Sequence, residues 1–196
     1  MSHYIEDKHF IGEIFTQSRL PKGDYDHCIF ERCEFANAFL DNQNFIECEF
    51  LDCNLSNANV AHSIFNEVAF VGCKMIGLKL ETCNDFLRSF SFKDCSLNLA
   101  SFHGMLLKNL SFVNCKLVEA DFTEADLTGS CFDDCDLQRA IFMNTQLDQT
   151  DFTSAYNYQF DPSQNHLKKT KFSKEGALGL LSKFDIEIDG SRLNRL

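Results

Sequence analysis

Ten cysteines and six histidines are the residues of this 196-residue sequence with the widest chemical reach. Closely spaced cysteines can hold zinc or form disulfides, and histidines can join them as ligands or act as bases. The spacings argue against each use. Cys28/Cys33 and Cys48/Cys53 have four residues between them, and no C-x-x-C with a matching second pair occurs. His3, His9, His27, His62, His103 and His166 are scattered, without metal-binding or catalytic spacing. No G-x-S-x-G, H-E-x-x-H, phosphate-binding loop or dinucleotide fingerprint is present. The residues point to a protein that is not an enzyme and uses no metal or cofactor.

Charge is the second chemical resource. The formal net charge is −11 with a pI near 4.9, which disfavours direct nucleic-acid binding because such a binder replaces counterions with Lys and Arg. The carboxylates crowd between Glu119 and Asp151. Glu119, Asp121, Glu124, Asp126, Asp133, Asp134, Asp136, Asp148 and Asp151 are opposed there only by Arg139. They solvate the surface, and they also suit an acidic face presented to a basic partner. Asp121, Glu124, Asp126, Asp133, Asp134, Asp136, Asp148 and Asp151 are the candidate contacts.

These residues hang on a comb of period five. From Phe92 to Phe152 every fifth residue alternates Phe and Leu: Phe92, Leu97, Phe102, Leu107, Phe112, Leu117 and onward. Two places earlier stands a small or sulfur-bearing residue, such as Cys95, Ala100, Cys115 or Ala120. Five steps overshoot an α-helical turn by ~140°, and an odd spacing would alternate faces on a straight strand. The pattern works if each unit is a short extended piece followed by a corner, with the central residue and the one two before it inward. Stacked corners make a solenoid.

The comb runs backwards from Leu80 to Phe10 in another phase, so two residues are inserted within Glu81–Ser91. Across that slip a period near twenty gives Phe10, Phe30, Phe50, Phe70, Phe92, Phe112, Phe132 and Phe152 as one column. Beside it stand Cys33, Cys53, Cys73, Cys95, Cys115 and Cys135. Four units per coil give a square section, and roughly seven coils at ~4.8 Å give a rod ~34 Å long. Stacked cysteines point in parallel, whereas a disulfide turns its Cβ atoms together. They read as reduced, buried small hydrophobes, with Cys83 and Cys131 off the ladder as the most exposed thiols. The fold expected is therefore an all-β solenoid, a quadrilateral β-helix with a short C-terminal helix. Its interior is packed with Phe and Leu and leaves no substrate pocket.

In chain order, residues 1–9 are an N-terminal cap, 10–153 the repeat, 154–172 the cap of the last coil and 173–196 a dimerisation segment. Gln43 replaces a small inward residue and is expected to bond a corner backbone group. The slip should bulge, exposing Asn84, Asp85, Phe86 and Arg88 as candidate loop contacts. Ser173 can cap a helix to about Phe184 with Glu175 in its first turn, and Asp185–Asp189 alternates like an edge strand. Ala177, Leu180, Leu181 and Phe184, with Ile186 and Ile188, are the candidate dimer contacts. No apolar run is long enough for export or to span a bilayer, so a cytoplasmic location is expected.

The stretch EADFTEADLTGSCFDDCDLQRAIF (Glu119–Phe142) resembles the pentapeptide-repeat family, which implies a right-handed quadrilateral β-helix. The tail AYNYQFDPSQNHLKKTKFSKEGALGLLSKF (Ala155–Phe184), with CKMIGLKL (Cys73–Leu80), resembles the microcin-immunity and albicidin-resistance group (McbG, AlbG), relatives of the Qnr and MfpA quinolone-resistance proteins. That resemblance implies an acidic homodimer joined at its C-terminus. It would bind DNA gyrase or topoisomerase IV and protect it from a quinolone-, microcin- or albicidin-type poison. The alternative is a protein-interaction scaffold with no topoisomerase role. Several gyrase-protecting members of the family carry longer extruded loops, where this sequence inserts about two residues.

Overall fold

The computed structural model describes residues 3–16, 18–85, 89–182, 184 and 186. They wind into a right-handed quadrilateral β-helix with one short helix at its C-terminal end. Each five-residue unit buries its centre and the residue two before it, as Cys115 with Leu117, Ala120 with Phe122 and Ala125 with Leu127 show. The residue two after the centre turns the corner with positive φ, as at Asn57 (52°), Asn109 (59°) and Asn144 (53°). Asn tolerates that left-handed region better than most residues.

The strands are short: β1 (His3–Glu6), β2 (His9–Ile11), β3 (Gly23–Asp26), β4 (Ile29–Glu31), β5 (Asn44–Ile46), β6 (Glu49–Leu51), β7 (Ile64–Asn66), β8 (Val68–Val71), β9 (Phe90–Lys93), β10 (Ser111–Val113), β11 (Cys131–Asp133), β12 (Asp151–Phe152) and β13 (Lys171–Phe172). One parallel sheet has the order β13-β12-β11-β10-β9-β8-β6-β4-β2, and a second has β1-β3-β5-β7. The nine-stranded sheet defines the first face, and the second, third and fourth follow in chain order. Nine strands make eight coil steps, one more than the comb suggests. The extra rung sets Lys171 opposite Asp151 and Phe172 opposite Phe152.

The phenylalanine column is the spine of the core. Successive rings from Phe10 to Phe172 stack with centroids 4.7–5.5 Å apart. They meet rings of neighbouring columns edge-on, as Phe112 meets Phe102 at 5.7 Å and 89°. Both arrangements suit the aromatic quadrupole. Where the stack ends at the N-terminus, the Lys8 ammonium lies 4.6 Å above the Phe10 ring.

The cysteine column is buried, and all ten cysteines are unpaired thiols. The thiols of Cys33, Cys53, Cys73, Cys95 and Cys135 donate to the carbonyls of Phe10, Phe30, Phe50, Phe70 and Phe112 at 3.1–3.5 Å. Burial pushes the Cys33 thiol up to about 11 and the Cys48 thiol up to about 12. Gln43 bonds backbone as expected: its Oε1 accepts from Gly23 N–H (2.9 Å) and its Nε2 donates to the Leu20 carbonyl (3.3 Å).

Cys83 departs from expectation. It is buried rather than exposed, because the ladder stays in register past it: Asn84 N–H still bonds the Ser63 carbonyl at 2.9 Å. The slip begins only after Asn84, and by Phe90, opposite Val68, pairing has resumed two residues later. Asp85 stands where the next core residue belongs, and it is exposed. Phe90 fills that space, its ring 5.8 Å from Phe65 and 5.7 Å from Phe92. Cys131 is half-buried, so part of its surface meets solvent.

The helix α1 (Lys174–Gly179) is capped by Ser173, whose Oγ accepts from Gly176 N–H at 2.9 Å. It stops at Gly179, short of the expected Phe184, and closes in a tight turn with Leu180 N–H on the Ala177 carbonyl (3.2 Å). Of the expected edge strand only Ile186 is described, and it belongs to no strand.

Candidate protein-binding surface

The carboxylates nominated from sequence do not share one face. Ladder partners put Asp151 on the first face, Asp136 on the second, Asp121 on the third and Asp126 on the fourth. Asp133 and Asp134 lie at the end of the first face, Glu119 and Glu124 at corners and Asp148 on the fourth. Together they form a girdle around the rod, which corrects the expectation of an acidic face. Side chains five apart belong to adjacent faces of a square coil, so a dense run of acids must wrap it.

Four of these carboxylates also shape the backbone. Asp121, Asp126, Asp136 and Asp151 accept from the N–H two residues on, at Thr123 (2.9 Å), Thr128 (3.1 Å), Gln138 (3.1 Å) and Thr153 (3.0 Å). Such side-chain turns favour a corner over a longer strand. Thr153, with Lys171 beside it, holds the Asp151 carboxyl below the usual carboxylate range. At Asp126 burial pushes upward, and the bonds from Thr128 and Lys108 outweigh it, leaving the group lowered. Lys108 and Lys171 reach Asp126 and Asp151 at 3.2 and 3.0 Å, and Arg139 pairs with Glu119. Asp148 accepts from Lys168 N–H (2.8 Å) and Asp133 from Ser154 Oγ (2.8 Å). Glu124, Asp133 and Asp134 are exposed, and the other nominated acids are half-buried.

Of the bulge residues, Asn84 is half-buried and Asp85 exposed, while Phe86 and Arg88 lie outside the described residues. Among the candidate dimer contacts Leu180 is buried against the last coil, Ala177 and Leu181 are half-buried, and Phe184 and Ile186 are exposed. Ile188 lies outside the described residues. A groove of about 690 Å³ runs beside α1, lined in part by Tyr156, Leu178, Leu181, Phe184 and Ile186. Gly176 and Gly179 bring the helix onto the coil, since a Cβ there would lie 1.8 Å from Tyr158 Oη and 2.5 Å from the Tyr158 carbonyl.

Sequence reasoning missed a second group of surface residues. Leu99, Leu106, Ile141 and Met143 are all exposed on the coils beside and within the girdle. Their signal is present in the sequence, because each is apolar at an outward position of the comb. No group of three His, Cys, Asp or Glu among the described residues could hold a metal ion, and no described helix is long and apolar enough to cross a membrane. What the geometry offers is a sealed core and a decorated exterior, the chemistry of a binding surface.

Comparison with known proteins agrees with the architecture. Residues 43–122 match the family model described as a pentapeptide repeat region, and residues 120–156 the one described as pentapeptide repeats (8 copies). No curated protein sequence matches the chain. Among solved structures, a trypsin-treated variant of QnrB1, a plasmid-mediated fluoroquinolone resistance protein, has a TM-score of 0.67 at 18% identity, over 96% of this chain and 92% of its own. A second trypsin-treated variant gives 0.61 at 17%, over 95% and 100%. Full-length QnrB1 gives 0.55 at 17%, over the same shares. At these identities the likeness is one of fold.

Proposed function

The chain belongs to the pentapeptide-repeat family, and on that premise we propose that it is a non-catalytic cytoplasmic protein that binds DNA gyrase or topoisomerase IV and protects it from a poison. The observation that carries this reading is the girdle on a stiff, sealed rod. Residues 119–151 fill little more than one and a half coils, roughly 8 Å of axis at ~4.8 Å per coil. Nine carboxylates and one arginine sit in that span. Duplex DNA carries ~5 charges over the same length, at one per ~1.7 Å. The rod is thus locally as negative as a duplex and can compete for a basic groove that holds one. The fold likeness to a fluoroquinolone resistance protein supports the same reading.

Self-association through the C-terminal end completes the proposal. The groove beside α1 and the exposed Phe184 and Ile186 form an apolar end that a second copy would cover. The test is a gyrase assay with purified full chain, measuring supercoiling and quinolone-stabilised DNA cleavage. Protection from cleavage at low protein concentration, weakened when Asp121 and Asp126 are changed to Asn and Glu124 to Gln, is the expected result. Unchanged cleavage at every concentration would favour a scaffold with no topoisomerase role.

A further inference from the structure

Resting on that reading of a protein-binding rod, we propose that its contact surface is the edge where the third and fourth faces meet, and that it takes a protein surface presenting basic residues flanked by apolar ones. Three successive coils meet there. The middle coil contributes Asp121, Glu124 and Asp126, and ladder pairing sets Ser101 and Leu106 on one side of them and Ile141 and Gln146 on the other. Glu124 N–H bonds the Met143 carbonyl at 2.8 Å, which fixes Met143 above the acid row. His103 lies 3.9 Å from Glu124 on the other side.

Apolar exposure marks this edge. Leu106 is 70% exposed, the most of any large apolar residue described, and Ile141 and Met143 are 45% and 46% exposed. Leu99, at the preceding corner of the same coil, between the second and third faces, has φ +59° and is the one apolar residue among the described non-glycine positions with positive φ. A leucine in the left-handed region is strained, and there it buries little in return. Phe39, also on the third face, is 56% exposed, but it already has a cationic partner, the Arg19 guanidinium 5.0 Å from its ring. Exposed apolar residues beside charged ones form the core-and-rim pattern of a protein interface. The acid row selects a cationic partner surface and repels nucleic acid and anionic lipid.

Gly104 supplies a clean probe. It sits at the corner below Glu124 with φ +64°, and a Cβ there would meet nothing within 4 Å. Gly104→Asn therefore adds bulk to the surface in a conformation Asn accepts. The probe is a decapeptide of alternating lysine and leucine, titrated into isotope-labelled full chain with amide shifts mapped by NMR. Shifts centred on residues 99–106 and 141–146 are expected. Affinity should fall about tenfold in Leu106→Asp, Met143→Asp and Gly104→Asn, while Phe39→Asp leaves it unchanged. Shifts spread evenly round the four faces, no binding, or affinity indifferent to these variants would overturn the surface. Gyrase binding that survives Leu106→Asp and Met143→Asp would overturn it too and leave the proposed function standing. Absence of gyrase binding by the unaltered chain would instead sink the function, with the peptide titration still deciding the surface.

Discussion

Before the slip the solenoid carries strands on two faces, β1-β3-β5-β7 on the fourth and the long sheet on the first; after it, among the described residues, only the first face keeps strands. The fourth-face centres of the N-terminal half are Tyr25, Phe45 and Phe65, flanked by outward Ile46 and Ile64. In the C-terminal half they are Leu107, Leu127 and Leu147, flanked by Asp126, Thr128, Gln146 and Asp148. β-Branched and aromatic residues hold extended pairing, whereas Asp bonds the following backbone and turns it.

The corner bond itself is common to both halves. In the second-face column Asn54 accepts from Ser56 N–H at 3.2 Å, where Asp136 accepts from Gln138 at 3.1 Å. In the third-face column Asn59 accepts from Ala61 at 3.1 Å, where Asp121 accepts from Thr123 at 2.9 Å. Asn therefore suffices for the corner. In these two columns the corner bond does not require the negative charge of the C-terminal half.

The largest expected effect tests the shared spine. Phe112→Ala removes a fully buried ring packed against four others and should cost about 3–5 kcal/mol in urea unfolding. Phe10→Ala, at the open end under Lys8, should cost clearly less. Next comes the N-terminal half alone. Gln43→Ala strands Gly23 N–H and the Leu20 carbonyl and should cost about 1–3 kcal/mol. Hydrogen exchange should show the loss in the first coils and leave those beyond Phe92 protected.

The corner comparison predicts a smaller change. Replacing Asp121, Asp126, Asp136 and Asp151 together by Asn keeps every corner acceptor and removes four charges. Each site should shift stability by within about 0.5 kcal/mol, since the ion pairs lost at Asp126 and Asp151 are partly exposed. A collapse in melting temperature would show that the charge is structural after all.

The smallest effect is one of pH and belongs to the N-terminal half. His27 is hydrogen-bonded to Asp26 (2.7 Å) and reaches Glu47 (3.0 Å), and these two carboxylates, with Asp7 nearby, raise its pKa above the usual 6.5. Its contribution is full below the ordinary histidine value and is lost as pH rises through the raised one. Tyr4 and His27 lower Asp26, so that contribution is present above the ordinary carboxylate value and is lost as pH falls through the lowered one. Melting temperature should therefore peak between the two ordinary values and fall slightly towards alkaline pH, and His27→Asn should flatten the alkaline side.

The spine, the thiol column, the Gln43 bonds and the Ser173 cap were legible in the sequence because each follows from a strict period or a local rule. The comb locates the insertion only to Glu81–Ser91, and at Cys83 one residue of register decides inward from outward. Phe90 is hard to foresee because it stands two places before a centre, where the comb leads one to expect a small or sulfur-bearing residue. Nearness in sequence suggests a single acidic face, although spacings of five and fifteen carry these acids to different sides of a square coil. The exposed apolar residues stand at outward positions that the comb itself marks, and only their exposure beside the acids singles them out.

The most direct measurement is displacement of a labelled duplex from gyrase by the purified chain, followed by fluorescence anisotropy at several salt concentrations. The account predicts displacement whose midpoint rises with salt and which is lost when Asp121, Asp126, Asp136 and Asp151 are all Asn. A duplex that stays bound at low salt and high protein, or displacement equal for the charged and neutral chains, would contradict it.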